Sequence, residues 1–131
     1  MQVSDAMSRT VLTIGPAHTL RQAASQMAAR KVGAAVVLDP ESEGPGILTE
    51  RDVLEALAQG QDPDSEVVGD HLTPDAVVAT PDWDLDRAAE AMLAGGFRHL
   101  VVCDEDDVVG VLSVRDIVRV WSGSRSSPAL T

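Results

Sequence analysis

A seven-residue segment occurs twice in this chain, and the duplication limits the possible folds more than any other feature. Gly46-Ile47-Leu48-Thr49-Glu50-Arg51-Asp52 returns 64 residues later as Gly110-Val111-Leu112-Ser113-Val114-Arg115-Asp116. Both copies consist of a glycine, two apolar residues, a hydroxyl residue, a variable position, an arginine and an aspartate. A repeat of this period indicates two copies of one structural unit.

The match between the two halves extends over nearly the whole chain. Equivalent positions include Pro16 and Pro81, Met27 and Met92, Val36-Val37 and Val101-Val102, and the lead-in segments 3–8 and 68–73. We expect repeat 1 at 1–58, a linker at 59–66, repeat 2 at 67–121 and a serine-rich, disordered tail at 122–131. Since a repeat of about 60 residues is marginal for a separate core, the two are predicted to share one core with pseudo-two-fold symmetry.

The apolar pattern predicts the same elements in each repeat. A β-branched run stopped by Gly15-Pro16 favours a strand, and an i, i+3, i+4, i+7 stripe from Leu20 favours a helix with Thr19 as N-cap. Asp84 takes the cap position in repeat 2, and Gly95-Gly96 ends that helix. The first strand is predicted at 11–14, and further strands are predicted at 34–38, 46–48, 100–103 and 108–112. Further helices are predicted at 51–58 and 115–121. Each repeat is therefore strand–helix–strand–strand–helix, an α+β fold.

Composition and charge exclude several function classes. The formal net charge is −11, and ten basic residues are scattered among 21 acidic ones. This argues against nucleic acid as a partner, because nucleic-acid binders usually present a basic face. No apolar run approaches the ~20 residues of a membrane span and no secretory signal is visible, so we expect a cytoplasmic protein without a membrane partner.

Neither a metal site nor a catalytic site is predicted. The acidic turn at 104–107 lacks EF-hand spacing, and His18, His71 and His99 stand far apart without ligand partners. Cys103 is a lone cysteine in an apolar run, which fits a small buried side chain. Because no nucleophile elbow or Walker-type glycine loop occurs, we expect a protein that is not an enzyme and holds no cofactor.

The duplicated polar residues admit two interpretations. Thr49-x-x-Asp52 and Ser113-x-x-Asp116 match the capping box, which stabilises a helix start and implies no ligand. That interpretation requires neither the preceding glycine nor the arginine before the aspartate. A helix start with a hydroxyl and an arginine suits phosphate, and a carboxylate suits a ribose diol, so the same residues predict a nucleotide site. The two interpretations are compatible.

These residues resemble a tandem pair of cystathionine-β-synthase (CBS) domains, a Bateman module, over about residues 3–121. The resemblance is carried by the Val-x-Asp-x-Met lead-in at 3–7, the strand and turn at 11–16, the run 97–102 and both Gly-x-x-Thr/Ser-x-x-Asp segments. It implies that two clefts between the repeats bind an adenosine-containing ligand: AMP, ADP, ATP or S-adenosylmethionine, with AMP or ATP as first choice. It also implies a homodimer.

The resemblance implies a role for each site residue. Asp52 or Asp116 holds the ribose hydroxyls, and Thr49 or Ser113 meets phosphate. The first strand of the opposite repeat supplies backbone contacts to adenine. One cleft then combines Ser113, Arg115 and Asp116 with Thr13 and Ile14, and the other combines Thr49, Arg51 and Asp52 with Val78 and Ala79.

The two clefts are not expected to be equal. Arg98 and His99 precede the central strand of repeat 2 and can reach a phosphate, whereas repeat 1 has Gly33-Ala34 there. Glu50 places a negative charge where repeat 2 has a neutral valine, and like charges disfavour an anionic ligand. We therefore expect tighter nucleotide binding beside Asp116. A half-buried His99 that contacts no ligand is an equally consistent interpretation.

The function expected from this sequence is a stand-alone regulatory module. It would sense an adenosine-containing ligand and transmit binding, through a dimer, to an unidentified regulated protein. The alternative is a dimeric interaction or scaffold module whose clefts bind no nucleotide.

Overall fold

The computed structural model describes residues 1–74 and 76–125, which form helices and short strands. In chain order the elements are α1 (Val3–Ala6), β1 (Thr13–Ile14), α2 (Leu20–Arg30), β2 (Ala34–Val37), β3 (Gly46–Thr49), α3 (Glu50–Ala58), a 3₁₀ turn (Val68–Asp70), β4 (Val78–Ala79), α4 (Leu85–Gly95), β5 (His99–Asp104), β6 (Asp107–Ser113) and α5 (Val114–Arg125). The predicted strand–helix–strand–strand–helix order is confirmed in both repeats.

The chain divides into two compact units whose boundaries differ from those of the sequence repeats. Among the described residues, one unit contains Met1–Thr10 and the chain from Val77 to Arg125, and the other contains the chain from Val11 to Ala76. Each lead-in segment therefore packs with the strands of the other repeat. Ser8 forms two backbone hydrogen bonds with Val111, at 2.9 and 3.0 Å, and Thr73 forms the equivalent pair with Ile47.

Each unit holds a three-stranded sheet with the same topology. The strand orders are β1-β2-β3 and β4-β5-β6. The first strand is parallel to the second, and the second is antiparallel to the third. The third strand leads directly into a helix, so the polar residues of each duplicated segment lie where a strand becomes a helix.

Aliphatic side chains fill the interior of each unit. The buried cluster of one unit includes Leu20, Val37 and Leu48, and that of the other includes Leu85, Val102 and Leu112. This agrees with a sequence that has no tyrosine and a single phenylalanine. No helix in the described part of the chain is long and apolar enough to cross a membrane.

The helix caps follow the sequence closely. Thr19 accepts a hydrogen bond from the Gln22 N–H, and Asp84 accepts one from the Asp86 N–H, so both predicted N-caps are confirmed. Helix α4 is followed by its C-cap Gly96, whose φ of 70° is the left-handed conformation that glycine adopts easily. The equivalent position after α2 is Lys31, which adopts φ 56° without that freedom.

Some boundaries differ from the expectation. Strand β1 has two residues rather than four, although the Leu12 carbonyl still accepts a hydrogen bond from Val36. Helix α5 continues through 122–125, which the sequence assigned to a disordered tail. The rest of that tail, 126–131, lies outside the described residues. The helical turns of both lead-in segments were not predicted, because three or four residues are too few to show a period.

Candidate functional site

Both duplicated segments form complete capping boxes at the starts of α3 and α5. The N–H of Thr49 donates to Asp52 Oδ2 at 2.8 Å, and the Asp52 N–H donates back to Thr49 Oγ1 at 3.2 Å. Ser113 and Asp116 exchange the same two hydrogen bonds, both at 3.0 Å. The structural interpretation of the motif is therefore confirmed. It leaves room for a ligand, because an ionised carboxylate has about four acceptor positions.

The helix starts offer an anion fewer backbone donors than the sequence argument assumes. The N–H of Val114 donates to the Arg98 carbonyl at 2.9 Å, and the N–H of Glu50 donates to the Gly33 carbonyl at the same distance. Together with the capping bonds, this occupies two of the first three N–H groups of each helix. An anion held at either helix start must therefore rely mainly on side chains.

The strand pairing brings the predicted phosphate-binding residues of repeat 2 together. His99 lies directly opposite Ser113 in the β5–β6 ladder, and side chains at opposite positions of a ladder are neighbours. The Arg98 carbonyl contacts the first residue of α5. Arg98, His99, Ser113, Arg115 and Asp116 therefore lie at one end of this sheet. In the other unit Ala34 lies opposite Thr49, so no imidazole is present there.

The glycine that begins each duplicated segment has a structural cause. A Cβ on Gly110 would lie 2.7 Å from Met7 Sδ and 2.8 Å from the Ser8 carbonyl oxygen. A Cβ on Gly46 would lie 2.9 Å from a Leu72 methyl group and 3.2 Å from the Thr73 carbonyl oxygen. The lead-in segment thus approaches β3 or β6 too closely for any side chain. This corrects the inference that the glycine points to a ligand.

Two residues near these helix starts were missed by the sequence argument. Arg119 Nη2 lies 3.0 Å from Asp116 Oδ1, and the same guanidinium donates to the Ala6 carbonyl at 3.4 Å. The equivalent of Arg119 in repeat 1 is Glu55, which lies 3.3 Å from Arg51 Nε. The signal was visible in the repeat itself, since the two positions lie 64 residues apart with opposite charge.

The predicted adenine contacts lie on edge strands. The Leu12 carbonyl accepts a hydrogen bond from Val36 of β2 at 2.9 Å, and the Ile14 carbonyl accepts one from Leu38, directly after β2, at 3.2 Å. Successive residues of a strand direct their backbone groups to opposite sides, so the N–H and C=O of Thr13 face away from β2. The Val77 carbonyl is bonded to β5 in the same way, which turns the backbone of Val78 outward. Ile14 and Ala79 are buried, and the same alternation turns their backbone groups toward the neighbouring strand, so the outward backbone groups are those of Thr13 and Val78.

The predicted site residues are divided between the two units. Ser113, Arg115 and Asp116 belong to one unit, and Thr13 and Ile14 belong to the other. Thr49, Arg51 and Asp52 are likewise separated from Val78 and Ala79. Which helix start shares a ligand with which edge strand therefore stays a prediction.

Two further features concern the thiol of Cys103 and the potential metal ligands of the described residues. Burial raises the pKa of the Cys103 thiol, and the nearby Asp106 and Asp107 carboxylates raise it further, so the thiol is protonated at neutral pH. Within 1–74 and 76–125, no group of three or more His, Cys, Asp or Glu residues stands close enough to hold a metal ion.

Comparison with known proteins gives two consecutive matches to one family model. The model for the CBS domain matches residues 3–59 and 68–123. A CBS domain-containing protein of Bacillus subtilis, YhcV, is 34% identical over 98% of this chain and 92% of its own length. The uncharacterized protein MJ1225 of Methanocaldococcus jannaschii is 32% identical over 90% of this chain. This chain spans 42% of the length of MJ1225.

Solved structures share the same fold. A CBS domain protein of Pyrobaculum aerophilum, PAE2072, was solved in complex with AMP; it has a TM-score of 0.80 and 29% identity, covering 88% of this chain and 89% of its own. The CBS domain pair of MJ0100, in complex with 5′-methylthioadenosine and S-adenosyl-L-methionine, has a TM-score of 0.82 and 25% identity, covering 95% and 98%. A hexameric CBS-CP12 protein from bloom-forming cyanobacteria has a TM-score of 0.86 and 27% identity, covering 90% and 66%.

Proposed function

The chain belongs to the CBS domain family, and on that basis we propose that it is a regulatory module that senses an adenosine-containing ligand. Two related structures hold AMP, or S-adenosylmethionine with methylthioadenosine, which supports this class of ligand. An inosine-5′-monophosphate dehydrogenase of Methanocaldococcus jannaschii also matches, at 29% identity, over only 23% of that enzyme's length. That match supports a shared domain pair rather than a shared catalytic activity.

The observation that carries the proposal is the arginine beside each capping aspartate. Arg51 and Arg115 are both exposed, and among the described residues the side chain of Arg115 forms no hydrogen bond or ion pair. The caps explain the hydroxyl and the carboxylate, and close packing explains the glycine. They do not explain an arginine in both copies. An exposed guanidinium beside a helix start suits a phosphate group.

We assign the other site residues by the same chemistry. Asp52 and Asp116 would accept hydrogen bonds from the ribose hydroxyls. From the cap position, Ser113 would contact phosphate and Thr49 the equivalent 5′ group of its own ligand. Arg98 and His99 would add donors at the α5 start. The outward backbone groups of Thr13 and Val78 would pair with the adenine ring, which presents both donor and acceptor atoms at its edge, while Ile14 and Ala79 hold these strands to the sheet beside it.

The proposal is tested by isothermal calorimetry and thermal melts with AMP, ATP and S-adenosylmethionine. A ligand at 100 times its dissociation constant should add about 2.7 kcal/mol to the free energy of unfolding. Asp116→Ala removes hydrogen bonds to a charged group, each worth about 1.5–3 kcal/mol, and should weaken binding about ten- to a hundredfold. Asp52→Ala should have the smaller effect on AMP.

A matched control separates ligand contact from helix capping. Asp84→Ala removes the N-cap of α4, outside both duplicated segments, and costs about 1 kcal/mol of stability. It should leave nucleotide affinity unchanged. Equal loss of affinity in Asp84→Ala and Asp116→Ala would contradict the assigned role of Asp116.

One observation favours the alternative of an interaction module that binds no nucleotide. The motif hydroxyls and carboxylates already have intramolecular partners in both copies. If millimolar AMP, ATP and S-adenosylmethionine all leave the melting temperature unchanged, this alternative is the correct one.

We propose that the module acts as a homodimer formed through α3 and α5. Both helices expose an apolar pair at equivalent positions: Leu54 and Leu57 on α3, and Val118 and Trp121 on α5. Residues three apart lie on the same helix face. The hexameric relative shows that assembly varies in this family. Sedimentation should give a dimer for the native chain and a monomer for Leu54→Asp with Val118→Asp. Leu38→Asp, an exposed apolar position outside the helices, should stay dimeric.

A further inference from the structure

The two helix starts carry opposite charge at equivalent positions. Around α5 lie Arg98, Arg115 and Arg119 with the single carboxylate Asp116, a sum of +2. The equivalent positions around α3 are Gly33, Arg51, Glu55 and Asp52, and Glu50 adds a charge where α5 has Val114, a sum of −2. The two starts share one cap geometry and differ by four charges.

The side-chain contacts strengthen this difference. Arg119 pairs with Asp116 and so offsets the repulsion between that carboxylate and an incoming phosphate. Arg115 has no ion-pair partner in the part of the chain that the structure describes. On α3 the situation is reversed, because Glu55 holds Arg51 at 3.3 Å and adds a second carboxylate on the helix face of Asp52. A phosphate at the α3 start would meet three carboxylates and an arginine already engaged.

We infer that the two helix starts select different ligands by charge. The α5 start takes a phosphorylated adenosine derivative, and the α3 start takes an adenosine derivative without phosphate, neutral or cationic. Arg119 and Glu55 are the specificity-determining residues, since they occupy the same helical position with opposite charge. This inference rests on the proposed function, which supplies the adenosine part of both ligands.

AMP and adenosine are the matched probes, since they differ by the phosphate group alone. Titrating each into the labelled full-length chain and following the amide NMR signals of Val114-Arg115 and Glu50-Arg51 gives an affinity for each helix start in one sample. The AMP-to-adenosine affinity ratio should be at least tenfold higher at the α5 start. Higher salt should reduce the difference, because salt screens exposed charges.

Three variants test the named residues. Arg119→Gln should lower AMP affinity at the α5 start about three- to fivefold, the effect of one exposed charge of about 1 kcal/mol in water, and leave adenosine affinity there unchanged. Arg119→Lys keeps the charge and should keep the AMP preference. Glu50→Gln with Glu55→Gln should raise AMP affinity at the α3 start about tenfold without changing adenosine affinity there.

The outcomes separate this inference from the proposed function. Equal AMP-to-adenosine ratios at the two starts would overturn the inference and leave the proposed function intact. Equal losses of AMP and adenosine affinity in Arg119→Gln would assign Arg119 to holding Asp116 in place and overturn its role in selectivity. No effect of adenosine at the α3 start would overturn that ligand assignment. No signal change with either ligand would overturn the proposed function together with the inference.

Discussion

Replacing Gly110 by alanine should destabilise the protein through a contact with the chain's own N-terminal segment. The new Cβ would lie 2.8 Å from the Ser8 carbonyl oxygen and 2.7 Å from Met7 Sδ. The methionine side chain is flexible and can move aside. The carbonyl cannot move easily, because Ser8 forms hydrogen bonds to Val111 through both its N–H and its C=O.

The size of the effect follows from these contacts. Forcing an extra carbon into a packed site costs about 1–3 kcal/mol. Weakening the two Ser8–Val111 hydrogen bonds adds up to about 1 kcal/mol each. We expect a loss of about 2–4 kcal/mol, which for a chain of this length lowers Tm by roughly 7–15 °C. Gly46→Ala should cost less, about 1–2 kcal/mol, since its closest neighbour is a movable Leu72 methyl group and the Thr73 carbonyl oxygen stands at 3.2 Å.

Thermal and urea unfolding of the two variants provide the measurement. Gly44→Ala is the matched control, because its new Cβ would have no heavy atom within 4 Å. That variant should stay within about 1 kcal/mol of the native chain. The reasoning is refuted if Gly110→Ala has the same melting temperature as Gly44→Ala, or if Gly46→Ala lowers the melting temperature more than Gly110→Ala does. In either case the duplicated glycine would need a cause other than the lead-in segment.

The remaining predictions concern stability and reactivity. Lys31→Gly should stabilise the protein by about 0.5–1 kcal/mol in thermal melts, because glycine adopts the left-handed conformation of this residue with less strain. Gly96→Ala should destabilise the protein by about 1 kcal/mol for the opposite reason. Thr19→Ala should cost about 1 kcal/mol in urea unfolding, because α2 loses its N-cap. The pKa of the Cys103 thiol is raised by burial, so alkylation at pH 8 should be slow in the native chain and fast in urea. In the unfolded chain the thiol has its ordinary pKa, so above that pH the unfolded chain loses the thiol proton before the folded chain does. The free energy of unfolding should therefore fall as pH rises above the ordinary thiol pKa, and Cys103→Ala should show a smaller fall.

The sequence predicted the element order and the helix starts because both depend on local patterns. The stripe from Leu20, the cap at Thr19 and the glycine at Gly96 act within a few residues of chain. The exchange of lead-in segments was not predictable in this way. Met7 and Gly110 are about a hundred residues apart in the sequence, and no sequence pattern near either residue predicts their contact.

The length of an element was harder to predict than its type. The β5–β6 hairpin extends to Asp104 and Asp107, where polar residues replace the apolar pattern, because backbone pairing continues beyond the buried face. Glu105 supplies the positive φ at the turn without a glycine to signal it. Similarly, α5 runs into a Ser- and Gly-containing segment that propensity alone assigns to coil.

The candidate site shows which part of a duplicated motif carries functional information. Identity between copies is expected wherever the fold makes the same demand twice, and the glycine, the hydroxyl and the aspartate each meet such a demand. Their repetition is therefore weak support for a ligand. The arginine is different, because Arg51 pairs with Glu55 while Arg119 replaces that partner in the other copy. An arginine kept in both copies without a shared structural partner supports the proposed ligand contact, and the reversed charges around it support the proposal that the two helix starts take different ligands.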